Sequence, residues 1–161
     1  MSTRPQTGLH GVALDAWRGY LLSHAAISRE LDAALLAKHE LTARDYEVLL
    51  FLAHEPERRL GMSELATRTM LTRSGVTRLV DGLTKSGLLE RVSCPSDLRV
   101  SYAQLTDEGY ERLRAAGPTH IESVRTAFLQ YFSEDEVEVL AGLMSRLPGV
   151  GADDAPDCSV E

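Results

Sequence analysis

Apolar residues recur at three- and four-residue steps from about position 12 to 38: Leu14, Trp17, Leu21, Ala25, Ile27, Leu31, Ala34 and Leu35. That spacing predicts one amphipathic helix of about 25 residues, roughly twice the average of ~11–12. A long apolar face near a terminus is suited to packing against a second subunit. Next, Thr42-Ala-Arg-Asp45 sets a hydroxyl three residues ahead of an acid, the pattern of a capping box. The helix it opens carries Tyr46, Val48, Leu49, Leu52 and Ala53 as its buried stripe. His54-Glu-Pro56 ends it, because proline disfavours helical geometry in the residue before it.

Residues 58–61 form a linker able to pair as a small strand. Ser63 is expected to cap a short helix reaching Thr69, Met70-Leu-Thr72 makes a turn, and a second helix spans residues 73–86, closed by Gly87. Residues 88–93 and 99–105 read as two strands around the turn-rich Cys94-Pro-Ser-Asp-Leu98. Thr106-Asp-Glu starts another long helix with acids in its first turn, where the helix dipole favours them. Ala116-Gly-Pro118 is expected to kink or break that helix. Ser133-Glu-Asp-Glu136 is a second capping box, opening a last helix to about Arg146.

The expected fold is mainly α with a small β-wing, a winged helix-turn-helix with added N- and C-terminal helices. It forms a single domain over residues 1–161. Residues 1–10 are expected to be disordered, 11–40 and 107–147 to be dimerisation helices, 41–106 the winged helix-turn-helix, and 148–161 a disordered acidic tail.

The helix 73–86 divides by face. Val76, Leu79, Val80 and Leu83 have core spacing. Arg73, Ser74, Thr77 and Arg78 share the opposite face in its first half, the part of such a helix that meets base edges in the major groove. Arginine offers a two-donor fork to guanine, and Ser or Thr serves bases or phosphates. Lys85 at the far end suits backbone phosphate, and Ser63 and Thr72 complete the candidate contact set. Arg99 falls at the wing tip beside Asp97, suited to the negative potential of a narrow minor groove. The competing reading is a solvated polar helix face and an exposed ion pair worth little.

Charge bears directly on this. The chain carries a formal −7, which opposes binding to phosphate, but it is segregated. Residues 1–99 hold 13 basic and 12 acidic side chains, whereas residues 100–161 hold 4 and 12. Within residues 62–99 the count is 6 basic to 4 acidic. Charges beyond a Debye length of ~8–10 Å are largely screened, so the local patch decides. No apolar run approaches the ~18–20 residues of a membrane span, and the N-terminal stretch lacks a signal-like apolar core, so a cytoplasmic location is expected.

Other chemistry finds little footing. The chain has no nucleophile elbow, P-loop, HExxH or dinucleotide fingerprint, so no enzyme, cofactor or catalytic residue is expected. Cys94 and Cys158 have no metal-ligand spacing, and the five histidines are scattered, so no metal site is expected. Redox control through Cys94 is an alternative, although no neighbour in sequence clearly lowers its pKa. A winged-helix module serving only protein contact is another; it would lack basic residues on the recognition face and wing.

Met62-Ser-Glu-Leu-Ala66, Thr72-Arg-Ser-Gly-Val-Thr-Arg-Leu-Val-Asp81, Gly87-Leu, Pro95-x-Asp97-x-Arg99 and Leu105-Thr-x-x-Gly109 together resemble the multiple-antibiotic-resistance regulator (MarR) family. The resemblance extends upstream to Leu41-Thr-x-x-x-Tyr46-x-Val-Leu49 and covers roughly residues 12–147. It implies a homodimeric transcription regulator that binds double-stranded DNA, with residues 73–86 as recognition helix and Arg99 as the minor-groove arginine. Leu98 stands where members often carry arginine, so the resemblance supports Arg99 but not a second wing contact. Sensor members use a first-helix cysteine, which this chain lacks.

Dimerisation follows independently, because Trp17, Leu21, Phe128, Leu129, Phe132, Val139, Leu140 and Leu143 are more apolar surface than a small winged module covers. The resemblance further implies a small ligand, often an aromatic acid, between dimer helices and DNA module. Trp17, Tyr20 and His24, at i, i+3 and i+7 with Arg18 at the edge, form a candidate wall for a small aromatic or phenolic ligand. Their competing role is packing in the dimer core.

Overall fold

A computed structural model describes residues 8–94 and 100–148. The first helix, α1 (Val12–His39), is followed by α2 (Ala43–Ala53), a 3-10 turn (Pro56–Arg58), β1 (Arg59–Gly61), α3 (Met62–Arg68) and α4 (Arg73–Lys85). Then come β2 (Leu89–Ser93), β3 (Ser101–Leu105), α5 (Asp107–Ala127), a second 3-10 turn (Leu129–Tyr131) and α6 (Glu134–Met144). The strands form an antiparallel sheet in the order β1-β3-β2, with Leu60 and Arg91 flanking Ala103. The linker expected to pair as a strand does so, as β1.

Both capping boxes form. Thr42 accepts the Asp45 amide at 3.0 Å and gives its own amide to the Asp45 carboxylate at 2.8 Å. Ser133 and Glu136 exchange the same pair of bonds. The helix 73–86 ends near its expected position, with Gly87 at φ 77°.

Three expectations need correction. Ser63 does not cap α3: Gly61 in extended geometry precedes the helix, which starts at Met62 directly from β1, and Ser63 lies within its first turn. Leu79 is half-buried at the margin of the core, whereas Val76, Val80 and Leu83 are buried. Ala116-Gly-Pro118 does not break α5, which runs unbroken from Asp107 to Ala127. Pro118 removes the amide that would bond the Arg114 carbonyl, but both residues are exposed and water can satisfy that carbonyl.

The core gathers Leu35 and Leu41, the α2 stripe Tyr46, Leu49 and Leu52, and Leu65, Val76, Val80 and Leu83 of the helix-turn-helix. Leu89, Ala103 and Leu105 of the sheet and Leu113 and Ala116 of α5 close it. The hairpin is clamped to α5 at Thr106. Its hydroxyl accepts the Gly109 amide at 3.0 Å and donates toward the carbonyls of Gly87 at 2.7 Å and Leu88 at 3.0 Å. Outside this core lie the first half of α1, exposed from Asp15 through Ala26, and α6, which buries none of its residues in its own chain.

Candidate nucleic-acid interface

Recognition-type chemistry needs a rigid helix with an unencumbered polar face. Val76, Val80 and Leu83 hold α4 in the core, with relative exposures of 1%, 0% and 4%. Thr72 starts the helix: its hydroxyl accepts the Gly75 amide at 3.1 Å and sits 3.2 Å from the Ser74 hydroxyl. Thr72 is therefore occupied as the N-cap as well as being exposed. Arg73, Ser74, Thr77 and Arg78 lie together on the exposed face, as the spacing predicted, with Lys85 exposed in the last turn. Among the described residues, none of these three cations forms an ion pair.

Other arginines of the module are engaged in structure. Arg68 bonds Glu55 and Glu64, tying α3 back to the end of α2. Arg58 lies 3.9 Å over the Tyr110 ring. Arg91 on β2 gives Nε at 3.1 Å and a terminal nitrogen at 2.8 Å to one Asp81 oxygen, joining the hairpin to α4. This bond went unread in the sequence, because ten residues separate its partners and no local period connects them.

Ser63 is exposed at the start of α3. At the hairpin, the Cys94 amide donates to the Val100 carbonyl at 3.0 Å. Asp97, Leu98 and Arg99, and so the wing-tip expectation, lie outside the described residues, as do most of the N-terminal segment expected to be disordered and nearly all of the acidic tail.

The Trp17 face forms as expected but as an open surface. Trp17 and Tyr20 stack with centroids 5.9 Å apart, and His24 follows at 6.3 Å. Trp17 is 50% and Tyr20 46% exposed, with Arg18 also exposed. A cavity of about 460 Å³ instead lies between α1, α2 and α5, lined among others by Tyr46 and His120. His120 stacks on Tyr46 at 4.3 Å, and burial lowers its pKa. His39, 2.9 Å from the Thr119 hydroxyl, is likewise lowered, first by burial and then by Lys38 and Arg112. This cavity is not legible in the sequence, since its walls come from three elements and α5 lies more than 50 residues from the other two.

A helix-turn-helix with a hairpin behind it and exposed cations along its second helix is the architecture of a winged-helix regulator. Residues 39–99 match the model of the MarR family. The chain is 30% identical over 132 residues to the HTH-type transcriptional repressor YetL of Bacillus subtilis, covering 78% of this chain and 79% of that protein. It is 34% identical to a MarR family transcriptional regulator from Streptomyces coelicolor solved in complex with DNA, with a TM-score of 0.83 over 92% of this chain and 98% of the other. A second Streptomyces coelicolor member, AbsC, matches with 30% identity and a TM-score of 0.81, over 88% of this chain and 95% of that one. The chain belongs to the MarR family of transcriptional regulators. No helix among the described residues is long and apolar enough to cross a membrane.

Proposed function

We propose that this chain is a homodimeric, sequence-specific DNA-binding repressor. The observation that carries the reading is the exposed cation set Arg73, Arg78 and Lys85, without an ion pair among the described residues, on a helix whose other face is locked into the core. Arg73, Ser74, Thr77 and Arg78 meet base edges or flanking phosphates in the major groove, Lys85, Thr72 and Ser63 serve the backbone, and Arg99, steadied by Asp97, enters the minor groove. A module kept only for protein contact has no need of bare arginines there.

Dimerisation is supported by α6, which leaves Val139 63% and Leu143 49% exposed, and by the open first half of α1. Two-fold symmetry then calls for a pseudo-palindromic operator with half-site centres about one helical turn (~10 bp) apart. A small ligand releases the complex. The Trp17–Tyr20–His24 face, with Arg18, either contributes to that ligand site or packs in the dimer.

A gel shift of the protein's own upstream region, at stated salt, tests the reading. A discrete complex lost in Arg73→Ala, with the fold unchanged by circular dichroism, is the expected result. Failure to retain any fragment of a genomic library would leave a protein-contact module instead.

A further inference from the structure

The cavity between α1, α2 and α5, at about 460 Å³, falls within the ~300–1,000 Å³ of small-molecule sites. Its body is apolar, with Leu31, Leu50 and Phe51 on its walls. The charges on those walls are uneven. Arg44 is the cation among the residues that line it, and its guanidinium is already held by Glu47 and, at 3.3 Å, by the Thr69 carbonyl. The Ala43 amide donates to one oxygen of Asp32 at 2.8 Å, and among the described residues no cation pairs with that carboxylate. His120 also lines the cavity, and its buried Nδ1 has no hydrogen-bond partner among the described residues.

An entering carboxylate would meet the Asp32 carboxylate and a single cation, Arg44, that already holds Glu47. An entering ammonium would meet an unpaired carboxylate, and charge-assisted hydrogen bonds of that kind are about twice as strong as neutral ones. The geometry points to this cleft as the receptor for a protonated aromatic amine, its ammonium on Asp32, its ring against Leu31, Leu50 and Phe51, and the open nitrogen of His120 accepting a further donor. This rests on the reading that a small molecule switches the regulator, and it names that molecule's chemistry. The occupant would touch α1, half of which stands outside the core, and also α2 and α5, which carry the DNA module. It is thus placed to couple the two.

Calorimetric titration of the full chain with 1-naphthylmethylamine, 1-naphthoate and 1-naphthalenemethanol at neutral pH separates the possibilities. The amine is expected to bind about tenfold or more tighter than either of the other probes. Asp32→Asn keeps an acceptor for the Ala43 amide and should bring the amine down to the affinity of the alcohol. Ser28→Phe, which fills the cleft from α1, should abolish binding of the amine. Three results overturn the proposal: naphthoate binding as well as the amine, no amine binding up to millimolar concentration, or unchanged amine affinity in either variant with a native circular dichroism spectrum. Failure of the unliganded protein to bind DNA would count against the regulator reading alone, because the titration needs no operator.

Discussion

Met70 turns the chain from α3 into α4 with φ at 52° and its side chain 71% exposed. A left-handed conformation costs a residue with a Cβ roughly 1–2 kcal/mol, which glycine escapes. Met70→Gly would remove that strain and lose almost no packing. It would also add about 0.5–1 kcal/mol of unfolded-state entropy. The balance is a small stabilisation of about 0.5 kcal/mol, visible as a higher urea midpoint at constant slope; a lower midpoint would mean that the methionine packs usefully. His120 gives a residue-scale prediction in pH. Burial lowers its folded pKa below the ordinary 6.5, so both states are neutral well above that value. As pH falls through 6.5 the unfolded chain takes up a proton that the folded chain resists, and stability declines. His39 is shifted in the same direction and adds to the decline. His120→Phe, which keeps the stack on Tyr46, should flatten the loss of stability between about pH 7 and 5.5 relative to the parent. An equal fall in the urea midpoint from pH 7 to 5.5 in the variant and the parent would show that His120 is not the source.

The junction between hairpin and α5 ties the start of β2 to α5 through Thr106. At Gly109 an added Cβ would lie 2.1 Å from the Leu88 carbonyl oxygen and 2.7 Å from Leu105 Cδ1. Neither can yield easily, since Leu88 leads into β2 and its carbonyl also accepts the Thr106 hydroxyl. Gly109→Ala is therefore expected to destabilise by about 3 kcal/mol, at the upper end of ordinary overpacking. The melting temperature should fall by several degrees or more, and a change of only a degree would show that the hairpin can slide away. Element by element, the sequence was most legible where one local period or cap decides the outcome. Three of the four apolar stripe positions of α4, all but Leu79, and the two capping boxes were read directly. It was least legible where solvent or a distant partner decides. Pro118 passes through α5 on its exposed side, where Arg114 too is open to solvent, and Ser63 yields its capping role because β1 leads straight into the helix. The Asp81–Arg91 tie and the cavity beside His120 arise only when separate elements meet. The face Arg73, Ser74, Thr77 and Arg78 was legible in full, since the same helical period that buries Val76, Val80 and Leu83 exposes it.

At the scale of the whole molecule, the two α4 helices of a dimer would act as one bivalent ligand for DNA. The exposed apolar side chains of α6 make this separable from folding: Val139 and Leu143 contribute little to the monomer core, so acids there should leave the winged module intact. Introduced together, Val139→Glu and Leu143→Glu place charge in an interface that an obligate dimer of ~2,000–5,000 Å² cannot solvate, and sedimentation should report monomers. Operator affinity should then fall by about 10²–10⁴, the advantage that linking two modules gives over one. Salt dependence distinguishes this from simple damage. With roughly 6–10 phosphate contacts, the parent dimer should lose ~10³–10⁵ in affinity between 50 and 200 mM salt. A monomer that still docks one helix neutralises half as many phosphates, so its slope against log salt should be about half the parent's. A double variant that stays dimeric, or one that binds as a monomer with the parent's full slope, would show that α6 does not organise the two reading heads.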